Sequence, residues 1–179
     1  TVLFERGVTQ SLIKQYTNAV NTFSAAIEQN PSNPFLYLNR STTRAEMIDF
    51  ISSIDNSYQR ITIDSDPANR LNNNSKRTYS YDEAVADLNK ALKLFPDFAH
   101  AYYNRANLQA LSGRLPEAFE DYTKAIGLNP SFAEAYYNRG IVQIFMKDTR
   151  KGCLDLSKAG ELGITEAYEV LKRYAQTQD

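Results

Sequence analysis

A chain of 179 residues, 42% of them hydrophobic, is long enough to bury a core without disulfide or metal staples. Its 20 basic and 21 acidic residues leave a net charge of −1 and are scattered, so neither a nucleic-acid footprint nor an anionic-membrane one is visible. No apolar run is long enough to span a bilayer, which predicts a soluble segment, and a single cysteine, Cys153, excludes an internal disulfide without fixing the compartment.

Shifted by 34 residues, the chain lays onto itself. AYYNRANLQALSGRLPEAFEDYTKAIGLNP (101–130) is answered by AYYNRGIVQIFMKDTRKGCLDLSKAGELGI (135–164), and Pro96 and Pro130 stand at that same interval. Numbering each repeat from 1 to 34, Thr1 falls at position 2 of a first helix with no capping residue before it. That start predicts a piece of a longer array. The first repeat, 1–33, carries Leu3, Arg6 and Gly7, then Ala19, Phe23, Ala26 and Pro31. The second, 34–97, opens with Tyr37, Arg40 and Ser41, yet its second helix arrives only with Tyr81, Ala84, Leu88, Ala91 and Pro96. An insert at about 51–80 separates the two halves. Its Ser and Asn content, with LNNNSKR at the centre, reads as a surface loop. Two features compete with that reading: Met47, Phe50, Ile51 and Ile54 continue a helical spacing, and SYQRITID and RTYSY alternate as paired strands would. An elaborated insert can also serve a partner.

The third repeat, 98–131, takes Tyr102, Arg105, Ala106, Ala118, Tyr122, Ala125 and Pro130; the fourth, 132–164, takes Tyr136, Arg139, Gly140, Gly152, Leu156 and Ala159. Ile164, after Gly163, replaces the closing proline. In 165–179, Thr165 can cap a last helix whose Ala167, Tyr168, Leu171, Tyr174 and Ala175 share one face. This predicts a C-terminal capping helix and tail, with the array continuing only on the N-terminal side. Small residues recur at position 8 (Gly7, Ser41, Ala106, Gly140) and position 20 (Ala19, Ala84, Ala118, Gly152), where two backbones can cross closely.

A period of 34 with this pattern resembles the tetratricopeptide repeat (TPR). The resemblance implies an all-α protein, an α-α superhelix or TPR solenoid of four helix-turn-helix repeats, the second carrying the insert. It also implies a concave groove lined by positions 2, 5, 9, 12 and 13 of the first helices, with the position-6 asparagines beside it. In this chain the candidate peptide-binding residues are Phe4, Val8, Leu38, Asn39, Thr42, Tyr103, Asn104, Asn107, Tyr137, Asn138 and Ile141. Their apolar character fits a bound peptide or helix, or a superhelix that buries part of its own wall. Family members that hold a C-terminal carboxylate use groove cations. Here Leu38, His100, Glu134 and Tyr137 stand in those places, so a chaperone-tail clamp is not expected, although the asparagines could bond a peptide backbone.

Arginine occupies position 7 throughout (Arg6, Arg40, Arg105, Arg139), and Asp87, Asp121 and Asp155 recur at position 23 of the second helices. A ladder of arginines could read an acidic ligand, but pairing of each with the aspartate of its own repeat is the stronger expectation. Thr22 breaks the scheme and should leave Arg6 the freest. Position 11, usually aromatic in the family, holds Gln10, Arg44, Gln109 and Gln143, a departure the sequence does not explain. His100 has no second histidine or cysteine beside it, Cys153 lies among packing residues, and Asp64 and Asp66 lack the rest of a calcium loop, so no metal and no cofactor is expected. No nucleophile with its base is recognisable, and no enzyme is expected. The expected function is protein–protein interaction, as an adaptor or scaffold part of a larger protein that binds a peptide or protein partner in the groove. The expectation includes no nucleic acid and no membrane contact. The alternative is a structural end segment that mediates assembly, with self-association through the exposed N-terminal repeat.

Overall fold

The structure, a computed structural model, describes residues 2–65 and 80–175, with the backbone alone at 54–65 and at 175. Among the described residues every regular element is a helix: α1 (Val2–Leu12), α2 (Tyr16–Gln29), α3 (Pro34–Ser65), α4 (Asp82–Leu94), α5 (Ala99–Leu111), α6 (Leu115–Leu128), α7 (Ala133–Phe145), α8 (Thr149–Glu161) and α9 (Glu166–Ala175). They fall into two compact units, Thr1–Asp87 and Leu88–Asp179.

In the first unit α1 packs on α2 and α2 on α3 around Ala19, Phe23, Ala26 and Leu36, with Leu3, Phe4, Val8 and Ile27 against them. Gly7 permits the α1–α2 crossing, since a Cβ there would lie 2.8 Å from Phe23 Cε1. Ser41, 1% exposed, does the same for α3 and α4, its hydroxyl donating to the Ala84 carbonyl at 2.8 Å. Between α1 and α2 the chain reverses through Lys14 at φ 60°, and the Gln15 N–H donates back to the Gln10 carbonyl at 2.8 Å. The equivalent residue in the second repeat is Ile48. A β-branched side chain resists that left-handed conformation, and α3 runs on to Ser65 instead.

The insert therefore begins as helix, not as loop. SYQRITID, 57–64, is helical and cannot supply a hairpin strand. Most of its supposed partner, RTYSY, lies outside the described residues. The Phe50 ring sits 5.8 Å from that of Tyr16, and Tyr81 Oη donates to Asp49 Oδ1 at 2.7 Å, so α2 and the start of α4 hold the segment where α3 passes the expected turn.

In the second unit the core gathers Ala106, Ala118, Tyr122, Ala125, Ile126, Phe132, Ala135 and Val142. The reversals repeat that of α1–α2, with Gly113 at φ 75° and Lys147 at φ 67°, and with Arg114 and Asp148 N–H groups donating to the Gln109 and Gln143 carbonyls at 2.8 and 2.9 Å. Helices α7 and α8 cross at two glycines. A Cβ on Gly140 would lie 2.8 Å from the Gly152 carbonyl oxygen, and one on Gly152 would lie 2.7 Å from that of Gly140. Helix α9 packs on α8 through Leu156, Ala159 and Ala167, with Val170 and Leu171 beside them. Tyr168, expected on the packed face, is 50% exposed, although its ring edge lies over Gly160.

Candidate binding surface

The position-7 arginines are the most regular feature. Arg105 Nε and Nη2 each donate to Asp121 at 2.7 Å, and Arg139 does the same to Asp155 at 2.6 and 2.8 Å. Arg40 binds Asp87 at 2.9 and 2.5 Å in the same fork. The expected pairs form, and they are bidentate. Each arginine also reaches the preceding second helix: Arg40 to Ser24 Oγ at 2.9 Å, Arg105 to Asn89 Oδ1 at 2.7 Å, Arg139 to Thr123 Oγ1 at 3.1 Å. Those three partners stand at position 25, and their recurrence as short polar residues was the signal that the sequence reading passed over. Each guanidinium also lies over a position-4 tyrosine, 5.8 Å from the Tyr37 centroid, 5.5 Å from Tyr102 and 5.6 Å from Tyr136. One arginine thus ties three successive helices, and its charge is consumed internally. The hydrogen bond from Arg105 to Asp121 holds that guanidinium above its ordinary pKa. Arg6 is exposed, as Thr22 predicts.

Position 11 faces the same aspartate position. Thr22 Oγ1 donates to Gln10 Oε1 at 2.6 Å, and Arg44 joins Arg40 on Asp87 while its other nitrogen meets Glu83 at 3.0 Å. Gln109 Oε1 and Gln143 Oε1 are buried without a partner. The polar residues at this position answer a polar position 23 where Thr22 or a second arginine is present. At Gln109 and Gln143 nothing in the structure explains the choice.

In the first unit α1 and α3 lie side by side, joined where Thr43 Oγ1 donates to Ser11 Oγ at 3.3 Å and Ser11 Oγ donates to Glu46 at 3.0 Å. Phe4 and Val8 are half-buried on the Phe23 core, with the Phe4 ring 6.2 Å from that of Phe23. Leu38 and Asn39 are half-buried, and Asn39 Nδ2 donates to the Phe35 carbonyl at 2.8 Å. Thr42 is exposed, its hydroxyl on the Leu38 carbonyl at 3.1 Å.

In the second unit α5 and α7 are joined by a polar chain. Asn107 Oδ1 accepts from Tyr122 Oη at 2.6 Å and from Asn138 Nδ2 at 3.0 Å, while Asn138 also donates to Tyr103 Oη at 3.3 Å. Burial, with Tyr103 adding to it, pushes the Tyr122 phenol well above the ordinary tyrosine range. The Tyr103 ring packs 4.7 Å from Phe132 and 6.0 Å from Tyr122. Tyr103, Asn107 and Asn138 are therefore brought together, but as a seam between helices. Tyr137 and Ile141 pack against the Leu156, Ala159 and Ala167 cluster that also receives α9, and Asn104 is half-buried. His100 is exposed, its ring 5.0 Å from that of Phe132.

Residues 80–113 and 110–144 match a family model described as TPR repeat. Over residues 80–144 the chain carries TPR repeats. Among solved structures, a crystal structure of MamA superposes with a TM-score of 0.72 at 17% identity, covering 96% of this chain and 84% of that one. MamA 41-end from Desulfovibrio magneticus RS-1 gives 0.67 at 16% identity, covering 89% and 73%. The first TPR of Spaghetti (RPAP3), bound to HSP90 peptide SRMEEVD, gives 0.59 at 21% identity, covering 82% and 91%. No curated protein matches the chain in sequence. At these identities the likeness is one of fold: an all-α helical repeat.

Proposed function

We propose that this TPR protein is a non-catalytic interaction module that binds a peptide or protein segment on the walls formed by the first helices of its repeats. The carrying observation is that these helices present half-buried apolar and amide side chains side by side: Phe4, Val8, Leu38 and Asn39, with the exposed Thr42, in the first unit, and Tyr103, Asn104, Tyr137 and Ile141 in the second. Every position-7 arginine except Arg6 is spent on internal pairs, which leaves side-chain shape and amides, not a cation clamp, to recognise the partner. The RPAP3 domain with its bound peptide lends support from the same fold. Asn107 and Asn138 contribute by fixing the wall, since their side chains already serve one another.

The test is selection of peptides on the immobilised chain from a random displayed library, followed by hydrogen-exchange mapping of a selected peptide. Protection is expected on α1 and α3 or on α5 and α7, and Thr42→Arg or Asn104→Arg should weaken binding with helix content unchanged. Protection confined to α6 and α8, or binding indifferent to both variants, would refute the reading.

A second reading, assembly of copies through the first repeat, has its own observation. An open depression of about 590 Å³ among Val2, Leu3, Phe4, Phe35 and Leu36 leaves Val2 76% and Phe35 49% exposed. Sedimentation velocity of the wild type against Val2→Glu discriminates it: a dimer lost on substitution supports assembly, a monomer at all concentrations removes it.

A further inference from the structure

Three first helices end at position 13 of their repeats: α1 at Leu12, α5 at Leu111 and α7 at Phe145. Helix α3 reaches that position at Glu46 and continues to Ser65, so everything after Glu46 belongs to the insert and to no groove position. Two contacts anchor the root of this extension, the Phe50 ring on Tyr16 at 5.8 Å and Tyr81 Oη on Asp49 Oδ1 at 2.7 Å. The helix then runs through 51–65, roughly 22 Å at about 1.5 Å per residue. Its composition does not favour that. Between Ile51 and Ser65 only Gln59 and Arg60 are strong helix formers; the rest are Ile, Thr, Tyr, Ser, Asn or Asp. A helix of this length and composition is not stable in water by itself, so it forms where one face is buried.

The sequence marks which face. Met47, Ile51, Ile54, Tyr58 and Ile61 are spaced 4, 3, 4 and 3, which at about 100° per residue confines their positions to an arc of about 80°. At its root the stripe is open, since Ile51 is 39% exposed. The segment that leads back to α4, 66–79, offers only Leu71 and Tyr79 as large apolar residues, too few to cover it. The stripe does match itself in reverse. Positions 51 and 61, and 54 and 58, lie symmetrically about 56. Two antiparallel copies of the helix therefore set 51 opposite 61 and 54 opposite 58, twice over.

We propose that α3, beyond Glu46, pairs antiparallel with the same helix of a second copy in this register. A two-fold pairing consumes both stripes at once, whereas a helix of another protein would need a matching stripe that nothing in this chain specifies. The seam is short, which predicts a reversible dimer in the micromolar range and not an obligate one. The surface lies outside the walls of the first helices and outside the first-repeat depression, and it stands without either.

The test is sedimentation equilibrium of the full chain, with far-ultraviolet circular dichroism at the same concentrations. A monomer–dimer equilibrium is expected, with helix content falling as dilution separates the copies. Ile54→Glu and Ile61→Glu should each weaken the dimer at least tenfold while the thermal melt of the repeats is unchanged, and Val2→Glu should leave the dimer intact. The register adds a sign: it brings position 55 of both copies to one flank near the two-fold axis, so Asp55→Asn should tighten the dimer, and an unchanged affinity would overturn the antiparallel register. A monomer at every attainable concentration would overturn the proposal, as would a dimer that Val2→Glu dissociates and Ile54→Glu does not. Hydrogen exchange separates the remaining case. Amides of 51–65 equally protected in the wild type and in Ile54→Glu would mean that the chain covers the helix itself, and the proposal would fall.

Discussion

The side chain of Arg139 shows how much one residue can carry in this fold. It holds Asp155 by two bonds, Thr123 by a third, and lies over Tyr136, with only 16% of its side chain exposed. Removing Asp155 leaves a half-buried guanidinium without its counter-charge. Asp155→Ala should therefore cost about 2–4 kcal/mol, close to what breaking a buried pair costs. Arg139→Lys should recover little of an Arg139→Ala loss, because an ammonium cannot make the fork. Chemical denaturation of the three variants measures both. Tyr81 makes the opposite kind of contribution. Burial and its hydrogen bond to Asp49 push its phenol up to about 12 from 10. A raised folded pKa stabilises the protein below the unfolded value and loses that contribution as pH rises from about 10 through 12. Tyr81→Phe should flatten the stability profile in that window, read from melting temperatures at pH 9 to 12. At this scale the sequence was informative where a residue type recurs at a fixed interval, as with the arginines and aspartates. It marked Asn107 as a groove residue but missed that Asn107 meets Tyr122 and Asn138 across helices that spacing alone does not align.

At the scale of the element, the turn at position 15 decides where a first helix stops. Lys14, Gly113 and Lys147 take positive φ there, and Ile48 does not. The long α3 follows from that one residue, and the Ser and Asn content that read as loop gave no hint of it. The helix extends because composition acts only after the backbone has been allowed to turn. The same argument gives a stabilising change. A lysine in the left-handed region carries roughly 1 kcal/mol of strain that glycine avoids, so Lys147→Gly should raise stability by up to about that amount. Thermal melts would show it, and Gly113→Ala should move the other way. The buried Gln143 Oε1 belongs here too, since it lies without a partner. Gln143→Leu keeps the volume and removes the orphan acceptor, with an expected gain of about 1 kcal/mol.

At the scale of the molecule, helices touch mainly their neighbours in sequence: α1 with α2, α2 with α3, α5 with α6, α6 with α7, α7 with α8 and α8 with α9. Stability in such an array is a sum of local packing and nearest-neighbour terms, so damage should stay close to where it is done. Gly152→Ala is a sharp way to do damage. The added methyl would lie 2.6 Å from Ile144 Cγ1 and 2.7 Å from the Gly140 carbonyl, and backbone on one side leaves it little room to yield. A cost of about 1–3 kcal/mol is expected, as for other overpacked sites. Native-state hydrogen exchange then asks how far it spreads. Amides of α7, α8 and α9 should lose protection first and by most, while those of α1 and α2 keep their wild-type rates. Uniform loss across all helices would mean that the chain opens as one cooperative body, and the additive description would fail. The distinction bears on binding as well. If α9 loosens alone, Tyr137 and Ile141, which pack against the cluster it covers, become the part of the wall most open to a partner.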